Sequence, residues 1–145
     1  MSGHPESTTQ VLSKPIPVPD EADLPYWDGL KDGRLVLCRC DNCGLLTQRL
    51  PMLCVSCRTE AFSWAEVSGR GSIYSFTIMR RSWVSGFGGF PYVVVAVAIE
   101  EQPSLVLITN LVGDFVIDDL EIGMPVTATY EERGDAALLQ FRLGS

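Results

Sequence analysis

The chain has 145 residues, of which 46% are apolar and 20% charged, a composition typical of a globular protein with a hydrophobic core. Its formal net charge is −7, and both halves are acidic, whereas proteins that bind duplex DNA concentrate basic residues on one face. The longest apolar run, residues 92–99, is far shorter than the roughly 18–20 residues that span a membrane as a helix. Composition and charge therefore argue against a duplex-binding protein and against a membrane-spanning one.

The first 19 residues are predicted to form a flexible tail, because they are polar, carry four prolines and show no periodicity. They contain no apolar core of the kind found in secretory signal peptides. The five cysteines of the chain are an odd number, which fits a reducing compartment and metal binding better than a set of disulfides. We therefore expect a cytoplasmic protein.

A short helical segment is predicted over residues 20–33. Asp20 is suited to cap a helix, and Pro25 either limits that helix or begins a second one. The apolar surface of the segment consists of Leu24, Tyr26, Trp27 and Leu30. Tyr26, Trp27 and Leu30 are expected to pack in the core rather than to face a partner. A turn at Asp32–Gly33 then leads into a short strand over residues 34–38.

Four cysteines carry the strongest motif, with the spacing Cys40-x2-Cys43-x10-Cys54-x2-Cys57. Two residues between paired cysteines let a tight turn point both sulfurs at one ion, and two such pairs are typical of a zinc ribbon. Gly44 follows the first pair, where the turn often needs a left-handed residue, whereas Arg58 holds the matching place after the second. Four thiolates leave no open coordination position, so the predicted zinc is structural rather than catalytic.

Other interpretations of the same cysteines remain open at this point. They are two disulfides, free buried thiols, and iron in a rubredoxin-like site. The fifth cysteine, Cys38, does not complete a tight Cys-x2-Cys turn and is expected to be a strand residue packed against the site.

From Ala61 onward the pattern predicts β-structure only. Strands are expected over residues 72–79, 92–99, 104–112, 125–131 and 136–143, separated by turns rich in glycine, proline and aspartate. In the first of them, alternation places Tyr74, Phe76 and Ile78 on one face. Five short strands in about 80 residues are typical of a small closed barrel, of which the OB-fold is the common five-stranded form. The predicted fold is mainly β: a short N-terminal helical segment, a rubredoxin-like zinc ribbon over 34–60, and a five-stranded OB-fold barrel over 61–145.

Catalytic groups are scarce in this sequence. His4 is the single histidine and lies in the predicted tail, which argues against a Ser-His-Asp triad, a Cys-His pair and a histidine metal site. The acidic residues at 118, 119 and 121 are interpreted as a solvated turn. Residues 86–89 are glycine-rich but are not followed by Gly-Lys-Ser/Thr, so a phosphate-binding P-loop is not predicted. No catalytic residue is assigned.

A loop of unusual composition joins the first two strands of the predicted barrel. It carries three aromatic residues, Trp83, Phe87 and Phe90, among glycines, which makes it a candidate for contact with a partner or an apolar ligand. A loop folded back over the end of the barrel is an equal alternative. Arg80 and Arg81 precede it and are candidate contacts for phosphate groups, with ordinary strand-edge charge as the other interpretation.

Taken together, these motifs resemble the zinc-ribbon/OB-fold family of acyl-CoA-associated proteins. The resemblance runs from about residue 20 to the C-terminus and departs from the family pattern in the extra Cys38 and in the second knuckle, which lacks a proline and a glycine. The segments that carry it are residues 26–30, 33–35, the four spaced cysteines, Trp64, and residues 67–77, 91–94 and 122–126.

The resemblance implies a non-catalytic accessory subunit. Members of the family commonly accompany thiolase-like enzymes that act on acyl-CoA or related thioesters by condensation, acyl transfer or retro-aldol and thiolytic cleavage. A hydratase-type acyl-CoA enzyme is the alternative partner. For such partners the resemblance implies that Trp83, Phe87 and Phe90 contact the enzyme or an acyl ligand, and that Arg80 and Arg81 contact CoA phosphates. Two rival classes stay open: a single-stranded nucleic-acid-binding OB-fold module, which the acidic charge opposes, and an independent enzyme.

Overall fold

The computed structural model describes residues 15–81 and 91–144. Residues 1–14 of the predicted 19-residue tail, and the aromatic candidates Trp83, Phe87 and Phe90, lie outside the described residues. Residues 15 and 16 contact the last hairpin of the chain, where the Arg133 guanidinium donates to the Pro15 carbonyl at 3.2 Å. No helix in the described part is both long and apolar enough to cross a membrane.

The N-terminal helical segment forms as predicted. Asp20 accepts a hydrogen bond from the Ala22 N–H at 3.3 Å and caps a 3-10 turn over Glu21–Asp23. Helix α1, Leu24–Lys31, begins directly after it with Pro25 in the first turn, where the missing N–H costs nothing. Tyr26 and Leu30 are buried on the inner face of α1. The helix therefore covers one side of the core.

A three-stranded antiparallel sheet follows the helix. Strand β1, Leu35–Cys40, lies in the centre, with β2, Leu46–Thr47, on one side and β3, Phe62–Val67, on the other. The predicted strand over 34–38 is thus real but runs on to Cys40. Strand β3 differs from expectation, since residues from 61 onward were assigned to the barrel. It pairs with β1 instead, and its Trp64 lies opposite Cys38.

Five strands of the remaining described residues form the closed barrel that the strand pattern predicted. Its strands lie in the order β4-β5-β6-β8-β7, and β7 returns to pair with β4, which closes the barrel in an OB-fold arrangement. Pairing is antiparallel except between β6 and β8. The strands are β4 Arg70–Met79, β5 Tyr92–Ile99, β6 Val106–Leu111, β7 Pro125–Arg133 and β8 Ala136–Leu143. The mainly β fold class is confirmed.

A β-bulge changes the faces of β4. Ile73 pairs with Val97, but Ser75, two residues on, pairs with the adjacent Ala96, so Tyr74 is the extra residue. Tyr74 is exposed, whereas Ile73 is buried and Phe76 packs against the core. The prediction that Tyr74 shares a face with Phe76 is therefore wrong, because simple alternation does not anticipate an inserted residue.

The helix, the ribbon sheet and the barrel share one hydrophobic core. Leu30 of α1 and Leu37 of β1 belong to the same buried cluster as Val95, Val126 and Phe141 of the barrel. Each of the five is at most 1% exposed. The ribbon is therefore not a separately packed domain, and its order depends on the barrel against which it packs.

A side chain of the barrel also ties the ribbon in place. Gln102 lies in the turn between β5 and β6, and its amide accepts from the Leu46 N–H at 2.8 Å and donates to the Leu46 carbonyl at 2.9 Å. Both bonds satisfy backbone groups of the buried edge residue of β2. This amide therefore replaces the strand partner that β2 lacks on its outer edge.

Replacing Gln102 with leucine is expected to lower the free energy of unfolding by about 1–3 kcal/mol, because both backbone groups of Leu46 lose their partner. Urea denaturation followed by tryptophan fluorescence measures it. Gln102→Glu, which keeps an acceptor for the Leu46 N–H but offers no donor, should be destabilised as well. An unchanged midpoint for Gln102→Leu would show that the pair of bonds does not hold the ribbon.

Candidate metal centre

The first cysteine pair forms a tight knuckle at the end of β1. The Cys40 N–H donates to the Leu45 carbonyl at 2.9 Å, and the Gly44 N–H donates to the Cys40 carbonyl at 3.0 Å. Gly44 has a φ of 79°, the left-handed conformation expected from its place after Cys43. The Cys43 N–H points at the Cys40 sulfur at 3.4 Å. Backbone donors of this kind stabilise a thiolate.

The second pair repeats the same backbone pattern. The Cys54 N–H donates to the Thr59 carbonyl at 2.9 Å, and the Arg58 N–H donates to the Cys54 carbonyl at 2.8 Å. Arg58 takes the place of Gly44, with a φ of 67°, and among the described residues it is the one non-glycine residue with a positive φ. The knuckle therefore forms with an arginine, although that residue is strained in this conformation.

Replacing Arg58 with glycine is expected to stabilise the protein by about 0.5–1 kcal/mol, since glycine adopts a left-handed conformation without the cost borne by a Cβ atom. The measurement is the melting temperature of the metal-loaded chain, expected to rise by a few degrees. Arg39→Gly, in the exposed part of β1, is the matched control and should destabilise instead. A lower melting temperature for Arg58→Gly would mean that the arginine side chain stabilises the knuckle.

The two knuckles bring all four sulfurs to one point. The Sγ atoms of Cys40 and Cys57 lie 3.5 Å apart, those of Cys43 and Cys54 lie 3.6 Å apart, and all four lie within 4.8 Å of one another. A tetrahedral ion with metal–sulfur bonds of about 2.3 Å requires sulfurs about 3.8 Å apart. A disulfide requires about 2.05 Å, so the arrangement fits a metal ion and not two disulfides. The predicted cluster is confirmed as a group able to hold one metal ion.

Hydrogen bonds prepare the second pair for metal binding. A hydrogen bond from the Asn42 side chain, followed by the Thr59 backbone, lowers the pKa of the Cys57 thiol to about 6. The backbone N–H of Cys57 is the largest influence that lowers the pKa of Cys54. Because the thiolate is the form that binds metal, both effects favour metal binding at neutral pH. Asn42 is a supporting residue that the cysteine spacing alone did not reveal.

The arm between the knuckles is anchored to the N-terminal segment. The buried carboxylate of Asp23 accepts from the Leu50 N–H and from Arg49 Nε, both at 3.0 Å. The Gln48 amide donates to the Tyr26 hydroxyl at 3.1 Å. These bonds hold residues 48–50 against the 3-10 turn and α1. Polar groups of the N-terminal segment therefore position the arm between the two cysteine pairs.

The remaining candidate residues lie away from this cluster or outside the description. Cys38 is fully buried in β1 and is not part of the four-sulfur group, and burial raises the pKa of its thiol. Arg80 and Arg81 are exposed directly after β4, and their contact with an acyl-CoA ligand stays a prediction. The acidic residues at 118, 119 and 121 are exposed, as a solvated turn requires.

Two metal-binding knuckles joined through a common core to a five-stranded barrel define a zinc-ribbon/OB-fold protein. Residues 64–131 match the family model described as ChsH2, C-terminal OB-fold domain. The chain is also 31% identical to a chain of the Ltp2–ChsH2(DUF35) aldolase, with a TM-score of 0.77, and the match covers 88% of this chain and 98% of that one. The chain therefore belongs to the DUF35 family represented by ChsH2, and the family resemblance of its sequence is confirmed.

Two relatives are similar in sequence, one much longer than this chain and one of similar length. It is 35% identical over 133 residues to a probable enoyl-CoA hydratase alpha subunit of Thermomonospora curvata, covering 88% of this chain but only 40% of that protein. It is 28% identical over 127 residues to a DUF35 domain-containing scaffold protein of Methanocaldococcus jannaschii, covering 84% of this chain and 88% of that one.

Proposed function

We propose that this chain is a non-catalytic accessory subunit that binds a thiolase-like enzyme acting on acyl-CoA or related acyl substrates. The observation that carries the proposal is the match, over 98% of its length, to a chain of the Ltp2–ChsH2(DUF35) aldolase. The scaffold designation of the Methanocaldococcus jannaschii relative supports the same role. The subunit forms a hetero-oligomer with the enzyme, in the cytoplasm, where its five cysteines stay reduced.

The metal centre fits a structural role in such a subunit. Cys40, Cys43, Cys54 and Cys57 hold a structural zinc ion, and iron is the competing metal for the same four thiolates. The ion supplies cross-linking of two loops that have little core of their own. The protein's residues supply the rest: backbone N–H groups and Asn42 stabilise the thiolates, and Asp23 fixes the arm between them.

The arrangement of the chain around this centre completes the proposal. The helical segment over 20–33 and the ribbon, which begins at residue 34 and includes β3, pack on the OB-fold barrel formed by β4 to β8. Arg80 and Arg81, with Trp83, Phe87 and Phe90 in the segment that follows β4, are the proposed contacts to the partner enzyme or to its acyl-CoA substrate.

Co-expression with the thiolase-like enzyme encoded nearest to this chain tests the proposal. We expect the two to co-purify, the enzyme to lose thioester turnover or stability when this chain is omitted, and the isolated chain to turn over no acyl-CoA. Size-exclusion chromatography with light scattering gives the stoichiometry. Full activity of the enzyme alone together with no complex would overturn the proposal.

A hydratase-type partner is the second candidate, and one observation favours it. The Thermomonospora curvata relative is named as a probable enoyl-CoA hydratase alpha subunit, and this chain corresponds to 40% of its length. The same co-purification, repeated with a hydratase-like enzyme, separates the two candidates by which enzyme is retained. A salt-dependent gel shift with single-stranded DNA or RNA would instead support the nucleic-acid-binding alternative.

A further inference from the structure

Exposed apolar side chains are concentrated at the second knuckle. Met52 is 93% exposed and Val55 is 85% exposed, and Leu50 and Leu53, at 41% and 47%, lie beside them in sequence. We call these four residues the second-knuckle patch. The other strongly exposed large apolar residues of the described chain are scattered over the N-terminal segment and the barrel. Exposed apolar patches rimmed by polar residues are typical of contact surfaces.

The patch is held in one conformation by its surroundings. The Leu50 N–H is fixed by the buried Asp23 carboxylate at 3.0 Å. Val55 lies between Cys54 and Cys57, two of the four clustered sulfurs, so a bound metal ion fixes the backbone on either side of it. An apolar surface that is already ordered loses little conformational entropy when it docks. The fixed backbone distinguishes the patch from a flexible apolar loop.

Charge defines what kind of surface can receive the patch. Two of the four arginines in residues 34–60 are already paired, Arg34 with Asp32 and Glu66 and Arg49 with the buried Asp23. Arg58 follows the patch in sequence, is exposed, and makes no ion pair within residues 15–81 and 91–144, so its charge is available to a partner. The complementary surface is therefore an apolar groove with acidic side chains at its rim.

The same charges disfavour two other occupants. A second copy of this chain docked patch to patch would bring the unpaired Arg58 of both copies into the same interface with no acidic residue of the patch to face them. An anionic membrane would attract Arg58 but repel a chain with a net charge of −7. A protein groove rimmed by carboxylates satisfies both the apolar and the basic parts of the surface.

We infer that the second-knuckle patch is a docking surface for the partner enzyme, in addition to the contacts proposed after β4, with Met52 and Val55 inserted into an apolar groove rimmed by acidic residues. The inference rests on the proposed function, because it assigns the surface used by that same partner. The metal ion thereby gains a role in assembly, since it orders the backbone that presents Val55.

The test compares two double variants that make the same chemical change on different surfaces. Met52→Asp with Val55→Asp alters the patch, and Ile108→Asp with Ile122→Asp alters two barrel residues that are each 70% exposed. The dissociation constant of each from the purified thiolase-like enzyme is measured by calorimetry. We expect a rise of about a hundredfold or more for the patch variant and less than about threefold for the barrel variant.

Metal content and charge dependence complete the design. Each variant is checked for one metal ion per chain. If the double variant loses metal, the single variant Met52→Asp is tested instead, because Met52 lies outside both Cys-x2-Cys pairs. In Arg58→Glu a side chain still occupies the left-handed position, but its charge is reversed. The variant should therefore bind the enzyme about tenfold more weakly. It should also reduce the loss of affinity that added salt causes.

The outcomes separate this inference from the function on which it rests. If the wild-type chain does not bind the enzyme, the proposed function fails. If the wild type binds and the patch variant binds equally well, the function stands and the inference is overturned. Loss of binding in the barrel variant would also overturn it. So would patch-dependent binding to vesicles containing phosphatidylserine, or a patch-dependent self-dimer in sedimentation, with enzyme binding unchanged.

Discussion

Stripping the metal from this chain is expected to cost on the order of 10 kcal/mol of folding free energy, since a structural zinc site contributes about that much to folding. Cys54→Ser should give the same result genetically, because three thiolates hold the ion far more weakly than four. The loss is comparable to the whole stability of a typical domain. Metal content by plasma mass spectrometry and thermal unfolding by circular dichroism measure the two parts of this expectation.

Cys38→Ala is the matched control for the metal-site variant. Cys38 is as deeply buried as Cys54 but lies outside the four-sulfur cluster. It should keep one metal ion per chain and lose about 1 kcal/mol from the small cavity left behind. Full metal content in Cys54→Ser, or loss of metal in Cys38→Ala, would show that the ligand set is different. Visible absorbance of the purified chain would identify iron, because zinc is colourless.

Phe141→Ala is expected to lower the free energy of unfolding by about 3–5 kcal/mol. Phe141 is fully buried and stands opposite Leu111, where β8 meets β6 in the one parallel pairing of the barrel. The Val112 N–H donates to the Phe141 carbonyl at 2.8 Å, so the residue lies at the seam that completes the barrel. Urea denaturation with the metal present measures the change.

Phe115→Ala provides the comparison, since Phe115 packs against the same core but is only half-buried. It should cost less than half as much, because less of its surface leaves water on folding. The free energy of unfolding of Phe141→Leu should lie between those of the wild type and Phe141→Ala, since leucine keeps most of the buried volume. Equal losses for Phe141→Ala and Phe115→Ala would contradict the assignment of Phe141 to the centre of the core.

The shared core connects these two expectations. Leu35 and Leu37 of β1 lead directly into Cys40, and they are buried in the same cluster as Phe141. Loss of the metal therefore loosens the strand that lines one side of the barrel core. We expect metal-free chain to show a weaker barrel as well as a disordered ribbon, which explains how a structural ion supports surfaces at a distance from it.

The sequence was sufficient for features set by local patterns. The cysteine spacing predicted a four-sulfur cluster, because two residues between cysteines leave the knuckle little choice of geometry. The apolar run Tyr92–Ile99 and the segment Ala136–Leu143 were predicted with their observed bounds, because β-branched and alternating residues are bounded there by turns. The Asp20 cap and the helix after it were likewise local.

Features that depend on pairing were not predictable in the same way. Phe62–Val67 has the composition of any strand, and only its register with β1 assigns it to the ribbon sheet rather than to the barrel. The bulge at Tyr74 arises from the pairing of β4 with β5, so alternation alone misplaced that side chain. Asn42 bonds to the sulfur of Cys57 in the other knuckle, and Gln102 bonds to the backbone of Leu46, which is distant in sequence. No local sequence pattern indicates either contact.

The sequence by itself determined the four clustered cysteines, the helical segment before them and the mainly β character of the second half, because these follow from spacing and periodicity along one stretch of chain. The tertiary structure decided which strands pair, that ribbon and barrel share a core, and that Met52 and Val55 face outward. The identity of an apolar residue does not show whether it is buried or exposed. Its exposure depends on how the rest of the chain packs around it.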